Sequence, residues 1–108
     1  MLTKEELPSC PVAKTVELIG NKWKLLILRE LLKETKRFGE LHKAVEGISQ
    51  KVLTDNLKKM EADGIVERIV YPEVPPRVEY KLTTLGESLR MIIDEMNRWG
   101  ETYLKEIK

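Results

Sequence analysis

Between Ser49 and Asp63 the chain sets amide, ammonium and hydroxyl groups along one side of a 3.6-residue repeat. Lys51, Asp55 and Lys58 lie across from the apolar Leu53, Leu57 and Met60, with Gln50 and Thr54 flanking. Such groups read the edges of planar bases and bind phosphate. A glutamine can make two hydrogen bonds to adenine, a lysine can reach guanine O6/N7 or a phosphate, and a threonine methyl can touch that of thymine. Asp55 is the odd member. A carboxylate is repelled by phosphate; it can accept from cytosine N4, but its simpler role is to pair with Lys51 or Lys59. A solvated helix face is the ordinary alternative for all of these residues.

Other chemistries find little support. One cysteine (Cys10) and one histidine (His42, expected to be exposed between Leu41 and Lys43) exclude an internal disulfide and a metal cluster within one chain. A Cys–His dyad lacks an accompanying acid and oxyanion pattern, and no glycine-rich phosphate loop occurs. No catalytic activity, metal or cofactor is expected. The start MLTKEELP has no apolar h-region and the longest aliphatic run is Leu25 to Leu28, so neither a signal peptide nor a membrane span is read, and a cytoplasmic location is expected.

The net charge of +1 conceals an uneven distribution. From Asn21 to Lys59 ten Lys or Arg face five Asp or Glu, which gives that block +5 and leaves −4 for the remainder. A neutral protein with a nucleic-acid footprint has this form.

The elements that must position these groups follow from local signals. Pro11 suits the first turn of a short helix over residues 11–19, with Val12, Val16 and Ile19 on one face. WKLLILRELL is apolar almost all round and marks a central buried helix in which Trp23, Leu26, Ile27 and Leu31 face the densest core. After the polar linker KETKR, the residues Phe38, Leu41 and Val45 form a short amphipathic helix. Gly47 is placed for a positive φ in a tight turn, and Ser49 is a good N-cap for the polar-faced helix, which the Asp63-Gly64 pair ends. Two strand-like runs, Ile65 to Tyr71 and Arg77 to Leu82, flank a tip stiffened by Pro72, Pro75 and Pro76. Thr84 to Glu87 fits a capping box that opens a last helix over residues 84–105.

The expected fold is therefore mainly α with a small β-hairpin wing, a single winged helix-turn-helix domain over residues 1–108 in the order α-α-β-α-α-β-β-α. In it the Ser49–Asp63 helix lies in a DNA major groove, the tight turn at Gly47 fixing its angle. Arg37, Ser49, Gln50, Lys51, Thr54 and Lys58 face the duplex, and Arg77 at the wing base points to the flanking minor groove or backbone. The last helix carries Leu85, Leu89, Ile92, Met96, Trp99 and Tyr103 at spacings of four and three. Leu85 and Leu89 are assigned to its own core. Ile92, Met96, Trp99 and Tyr103, with Val12 and Val16 of the first helix, are assigned to a two-fold partner that covers a face too wide for one small domain.

Across CPV at Cys10–Val12, IGNKWKLLILREL at Ile19–Leu31, RFGEL at Arg37–Leu41, GISQKVLTDNLKKMEADGIVER at Gly47–Arg68 and YPEVPPRVEYKLTTLG at Tyr71–Gly86, the chain resembles the HxlR family of bacterial and archaeal winged-helix transcriptional regulators. The resemblance implies a homodimer on a pseudo-palindromic operator. It also implies that Cys10 is a candidate redox or electrophile sensor, as the cysteine at this position is in some members. With one cysteine, sensing would need an adduct, a mixed disulfide or an inter-subunit bridge. The other reading of Cys10 is a small packing residue at the dimer edge. The expected partners are thus double-stranded DNA and a second copy, with an effector of unknown identity, for which Trp23, Met96 or Trp99 could line a pocket. The expected function is a sequence-specific transcriptional regulator, with repression as the simplest mode. The rival from another class is a winged helix that binds a protein partner without specific DNA binding.

Overall fold

The computed structural model describes residues 10–107. Helices α1 (Pro11–Ile19) and α2 (Lys22–Lys33) lead into strand β1 (Lys36–Arg37), followed by α3 (Phe38–Ala44) and α4 (Gln50–Ala62). The hairpin β2 (Val66–Tyr71) and β3 (Arg77–Leu82) precedes α5 (Thr84–Glu87) and α6 (Arg90–Glu106). This is the expected helical fold with a winged hairpin and a strand before the third helix, and it departs from the expected order at the last helix. The linker KETKR contributes β1, which pairs antiparallel with β3, so the sheet order is β1-β3-β2 and β3 is central. The terminal helix is two helices, because a turn at Ser88 and Leu89 separates α5 from α6.

The core forms where the apolar faces of α2, α3 and α4 meet the sheet. Ile27, Leu28, Leu41, Val45, Leu53 and Met60 have no appreciable exposure. On α2 the innermost residues are Ile27, Leu28 and Leu31, whereas Trp23 and Leu26 are only partly buried, because the next elements pack one step further round the helix. On α4 the stripe Leu53, Leu57 and Met60 is buried as its spacing requires.

Strand β1 is held by a lysine. Lys36 is buried and its Nζ donates to the Glu30 carbonyl oxygen at 3.0 Å, which fastens the strand to the last turn of α2. The Glu30 side chain is itself buried and accepts from Arg29 Nε at 2.8 Å and from Lys33 Nζ at 3.1 Å. Burial alone would push the Glu30 carboxyl up, but the hydrogen bonds and charges of Lys33 and Arg29 outweigh it and hold the group below the usual carboxylate value.

A second clasp joins the end of α4 to the start of α5. Gly64 (φ 77°) follows the helix and lets the Ile65 N–H donate to the Met60 carbonyl at 3.0 Å, the closing bond of a Schellman motif. Thr83, not Thr84, caps α5. Its hydroxyl donates to the Gly64 carbonyl at 2.6 Å and accepts from the Gly86 N–H at 3.0 Å. Gly86 passes so close to the Ile65 carbonyl oxygen that a Cβ would collide with it. Leu85 is thereby turned outward and exposed, contrary to expectation, while Leu89 packs against the core and Ile93 carries the buried contact of α6.

The Glu30 cluster has a checkable sign. A depressed carboxyl pKa contributes stability that is present above the ordinary value and lost as pH falls through the lowered one. Glu30→Gln should lower the unfolding free energy by about 1 kcal/mol at neutral pH, the effect being limited because Arg29 and Lys33 are exposed. The difference from the parent in urea unfolding should narrow as pH falls below the ordinary carboxylate value and through the lowered Glu30 one; a gap independent of pH would show that the carboxylate charge plays no part.

Candidate nucleic-acid interface

The turn between α3 and α4 is set by backbone and imidazole together. Gly47 takes φ 86°, the Ile48 N–H donates to the Val45 carbonyl at 3.3 Å, and His42 Nε2–H donates to the Ile48 carbonyl at 3.0 Å. His42 is therefore half-buried and structural rather than exposed as expected. Ser49 caps α4 by accepting from the Val52 N–H at 3.1 Å. At the far side Asn21, the N-cap of α2, accepts from the Lys24 N–H at 2.8 Å and donates through Nδ2 to Asn56 Oδ1 at 3.4 Å, so the two helix–turn–helix supports are bridged.

On this scaffold α4 presents Gln50, Lys51, Thr54 and Asp55 around one shallow depression, with Lys58 a turn further on. Their states differ. Gln50 is exposed and makes no side-chain hydrogen bond among the described residues. Thr54 donates its hydroxyl to the Gln50 carbonyl at 2.9 Å, which leaves its methyl and its acceptor lone pairs available. Lys51 Nζ meets Asp55 Oδ2 at 2.8 Å, the pairing expected for that acid. The hydrogen bond from Lys51 is the main reason the Asp55 carboxyl titrates below its ordinary value, with smaller help from the charges of Lys51, Lys58 and Lys59. The same bond raises Lys51. Both signs keep the pair ionised: it is lost only as pH falls through the lowered Asp55 value or rises through the raised Lys51 value, so it does not titrate between about pH 5 and 9.

The basic block sorts itself in three dimensions. Lys24 and Lys36 are buried, Arg29 and Lys33 serve Glu30, and Lys22 lies over the Trp23 ring at 4.7 Å. Among the described residues, Arg37, Lys43, Lys58 and Lys59 are exposed without an ion pair. Lys43 and Lys59 were not singled out from the sequence, because only the folded ion-pair pattern distinguishes them from their neighbours.

Arg37 and the wing share one face of the sheet, since Arg37 stands opposite Glu79 in the β1–β3 register. Arg37 also donates its N–H to Glu40 Oε1 at 2.8 Å at the start of α3. A cleft lined by Arg37, Phe38, Gly39 and residues 73–78 separates α3 from the wing tip. Arg77 is not a free cation at the wing base. Its guanidinium stacks on Tyr71 at 4.1 Å and lies 3.4 Å from Glu73 and 3.5 Å from Glu79. This engagement is not visible in the sequence pattern, because Tyr71 meets Arg77 through the hairpin register and Glu73 through the fold of the loop.

A helix–turn–helix with an amide- and lysine-bearing second helix and an antiparallel wing is the arrangement of a DNA reader. The family model described as HxlR-like helix-turn-helix matches residues 18–108. The chain belongs to that family. It is 42% identical over 105 residues to YdeP of Bacillus subtilis strain 168, an HTH-type transcriptional regulator, covering 97% of this chain and 82% of that protein. Among solved structures it is similar to the redox regulator HypR in its reduced form, with a TM-score of 0.86, 42% identity and coverage of 91% of this chain and 97% of the other. It is also similar to the reduced transcriptional regulator YodB of B. subtilis, with a TM-score of 0.77, 38% identity and coverage of 89% and 95%. The protein is a DNA-binding transcriptional regulator, and its family consists of regulators rather than enzymes. Among the described residues no helix is long and apolar enough to cross a membrane, and no three His, Cys, Asp or Glu residues gather as metal ligands.

Because Asp55 holds Lys51 and opposes phosphate, Asp55→Asn should tighten binding to DNA. It should also steepen the fall of log K with log salt by about one unit, the signature of one further phosphate contact. Fluorescence anisotropy across a salt series would measure both, and an unchanged slope would place Lys51 off the phosphate backbone.

Proposed function

We propose that this regulator binds as a homodimer to a pseudo-palindromic operator and represses by occupying promoter DNA. The single observation that carries the reading is that exposed polar groups without an ion pair among the described residues, Gln50, Lys58 and Lys59 on α4 with Arg37 and Lys43 beside it on β1 and α3, converge on one helix–turn–helix unit. Gln50, Lys51 and Thr54 contact base edges through the N-terminal half of α4, where Ser49 fixes the entry of the helix, and Arg37 and Lys58 bind phosphate. The wing lies along the flanking minor groove, with Arg77 at its base. A cytoplasmic location fits a protein that works on DNA.

The dimer reading is supported by apolar surface. Val12 and Val16 of α1 and Ile92, Met96, Trp99 and Tyr103 of α6 are exposed by 40 to 73%. Trp99 and Tyr103 stack at 5.4 Å between ring centroids with only 9° between their planes, and Met91, Ile92, Met96 and Trp99 line one apolar trough. The radius of gyration, 16.2 Å, exceeds the roughly 13 Å of a compact 100-residue domain, as it should when helices project toward a partner. Helix α1 and helix α6 together make the dimerisation part, and a two-fold axis would set the reading helices about 34 Å apart.

Selection of bound sequences from a random duplex pool, with sedimentation of the same protein, tests the reading. A two-fold symmetric motif and a dimeric mass are the expected results, and Gln50→Ala should relax preference at one position per half-site. A folded protein that enriches no motif at low salt would favour the rival protein-binding module.

Cys10 is the exposed N-cap of α1. Lys14 pairs with Glu17 at 3.6 Å and so is directed along the helix rather than toward the thiol. Its exposure, and the similarity to a redox regulator and to a protein crystallised after diamide treatment, support a sensing role. Two Cys10 thiols from two protomers would lose two protons and two electrons to diamide as their S–S bond forms, and the diamide would be reduced to the hydrazine. Diamide should release the operator from the parent but not from Cys10→Ser; release from both would remove the cysteine from the mechanism.

A further inference from the structure

The wing offers its cation in an unusual state. Arg77 begins β3 directly opposite Tyr71, the last residue of β2, so the pair closes the base of the loop over residues 72–76. The guanidinium lies over the Tyr71 ring, with Cζ 4.1 Å from its centre. Nη2 approaches Glu73 Oε1 at 3.4 Å, reaching across the loop, and Nε approaches Glu79 Oε2 at 3.5 Å along the strand. Nε is buried and has no hydrogen bond, so Glu79 holds it by charge rather than by a directed bond. The side chain is only 29% exposed. Two carboxylates therefore neutralise the one cation of the loop base, while the residue that stands fully exposed at the tip is the apolar Val74.

We propose that Arg77 is a positioning residue, a strut that fixes the angle and stiffness of the wing, and that it is not one of the phosphate contacts. For a phosphate to take the guanidinium, it would have to displace two carboxylates and expose itself to their uncompensated charge. The stack on Tyr71 adds a contact that an ammonium cannot reproduce, because only the planar guanidinium lies parallel to a ring. Glu79, opposite Arg37 in the ladder, is occupied by Arg77, and this leaves Arg37 as the unpaired arginine of that sheet face. The strut thus sorts two arginines that the sequence cannot tell apart, one structural and one for DNA.

This inference rests on the reading that the wing meets the duplex, so its test has one arm with DNA and one without. With the operator obtained by selection, Arg77→Lys, Arg77→Gln and Tyr71→Ala should each weaken binding about ten-fold while the salt slope stays that of the parent. The loss in the double variant Tyr71→Ala with Arg77→Gln should be less than the sum of the single losses. Without DNA, amides from Val66 to Leu82 should exchange hydrogen faster in Arg77→Lys than in the parent, with the helices unaffected. Parent-like affinity in Arg77→Lys, a slope reduced by about one in Arg77→Gln, or parent-like exchange in the wing would each overturn the strut. A parent protein that enriches no DNA would instead sink the DNA reading, and the exchange arm would still decide the role of Arg77.

Discussion

The burial of one face of α2 is the constraint on which everything else depends. Ile27, Leu28 and Leu31 give up nearly all their exposure, and the helix touches α3, α4, α6 and β3. Removing an aliphatic side chain from water is worth about 1.5–3 kcal/mol, and among the described residues no other helix concentrates such burial against so many neighbours. Each element that carries the exposed polar groups takes its position from α2. Helix α4 lays Leu53, Leu57 and Met60 into the core it shares with α2, β1 is fastened to its last turn through Lys36, and the Asn21–Asn56 contact ties its first turn to α4. The polar face of α4 points outward because its other face has nowhere else to go.

Electrostatics then decides which charges remain for function. In sequence the basic block is ten similar side chains. In the fold, some are consumed by structure: Lys36 by a carbonyl, Arg29 and Lys33 by the buried Glu30, and Lys51 by Asp55. The net charge of a segment is thus a poor guide to its individual contacts. A surface pair such as Lys51–Asp55 adds little to stability, and any phosphate or base that takes Lys51 must compete with Asp55 for it. Arg37, Lys43, Lys58 and Lys59 keep exposed cations with no ion pair among the described residues, on β1, α3 and α4.

A different imbalance marks the opposite end of the molecule. Helices α1 and α6 carry apolar side chains on faces that no described element covers, and this is costly for a free monomer in water. A regulator that reads a two-fold operator needs a rigid spacing between its reading helices. An apolar seam between long helices supplies rigidity because it is buried on both sides only in the assembled state.

Local chemistry made much of this legible from the sequence. The 3.6-residue stripe of α4, its Ser49 cap, the positive φ at Gly47 and the strand limits around the proline-rich loop all follow from rules that act over a few residues, and each was met in the fold. The polar reading face was legible for the same reason, since helical periodicity alone assigns residues to sides. What only the tertiary structure decided were contacts between residues distant in the chain or brought together by register. The strand expected between α2 and α3 falls on Lys36–Arg37 because β3 offers an edge there and α2 a carbonyl for Lys36. Thr83 displaces Thr84 as the cap because its hydroxyl can also reach Gly64, nineteen positions away. His42 is turned inward by the Ile48 carbonyl, and Arg77 is engaged by Tyr71 across the hairpin, by Glu73 in the loop and by Glu79 along its own strand. Periodicity and capping are properties of neighbours and can be read in one dimension, whereas the partner of a charge depends on which surfaces the packed core brings within 4 Å.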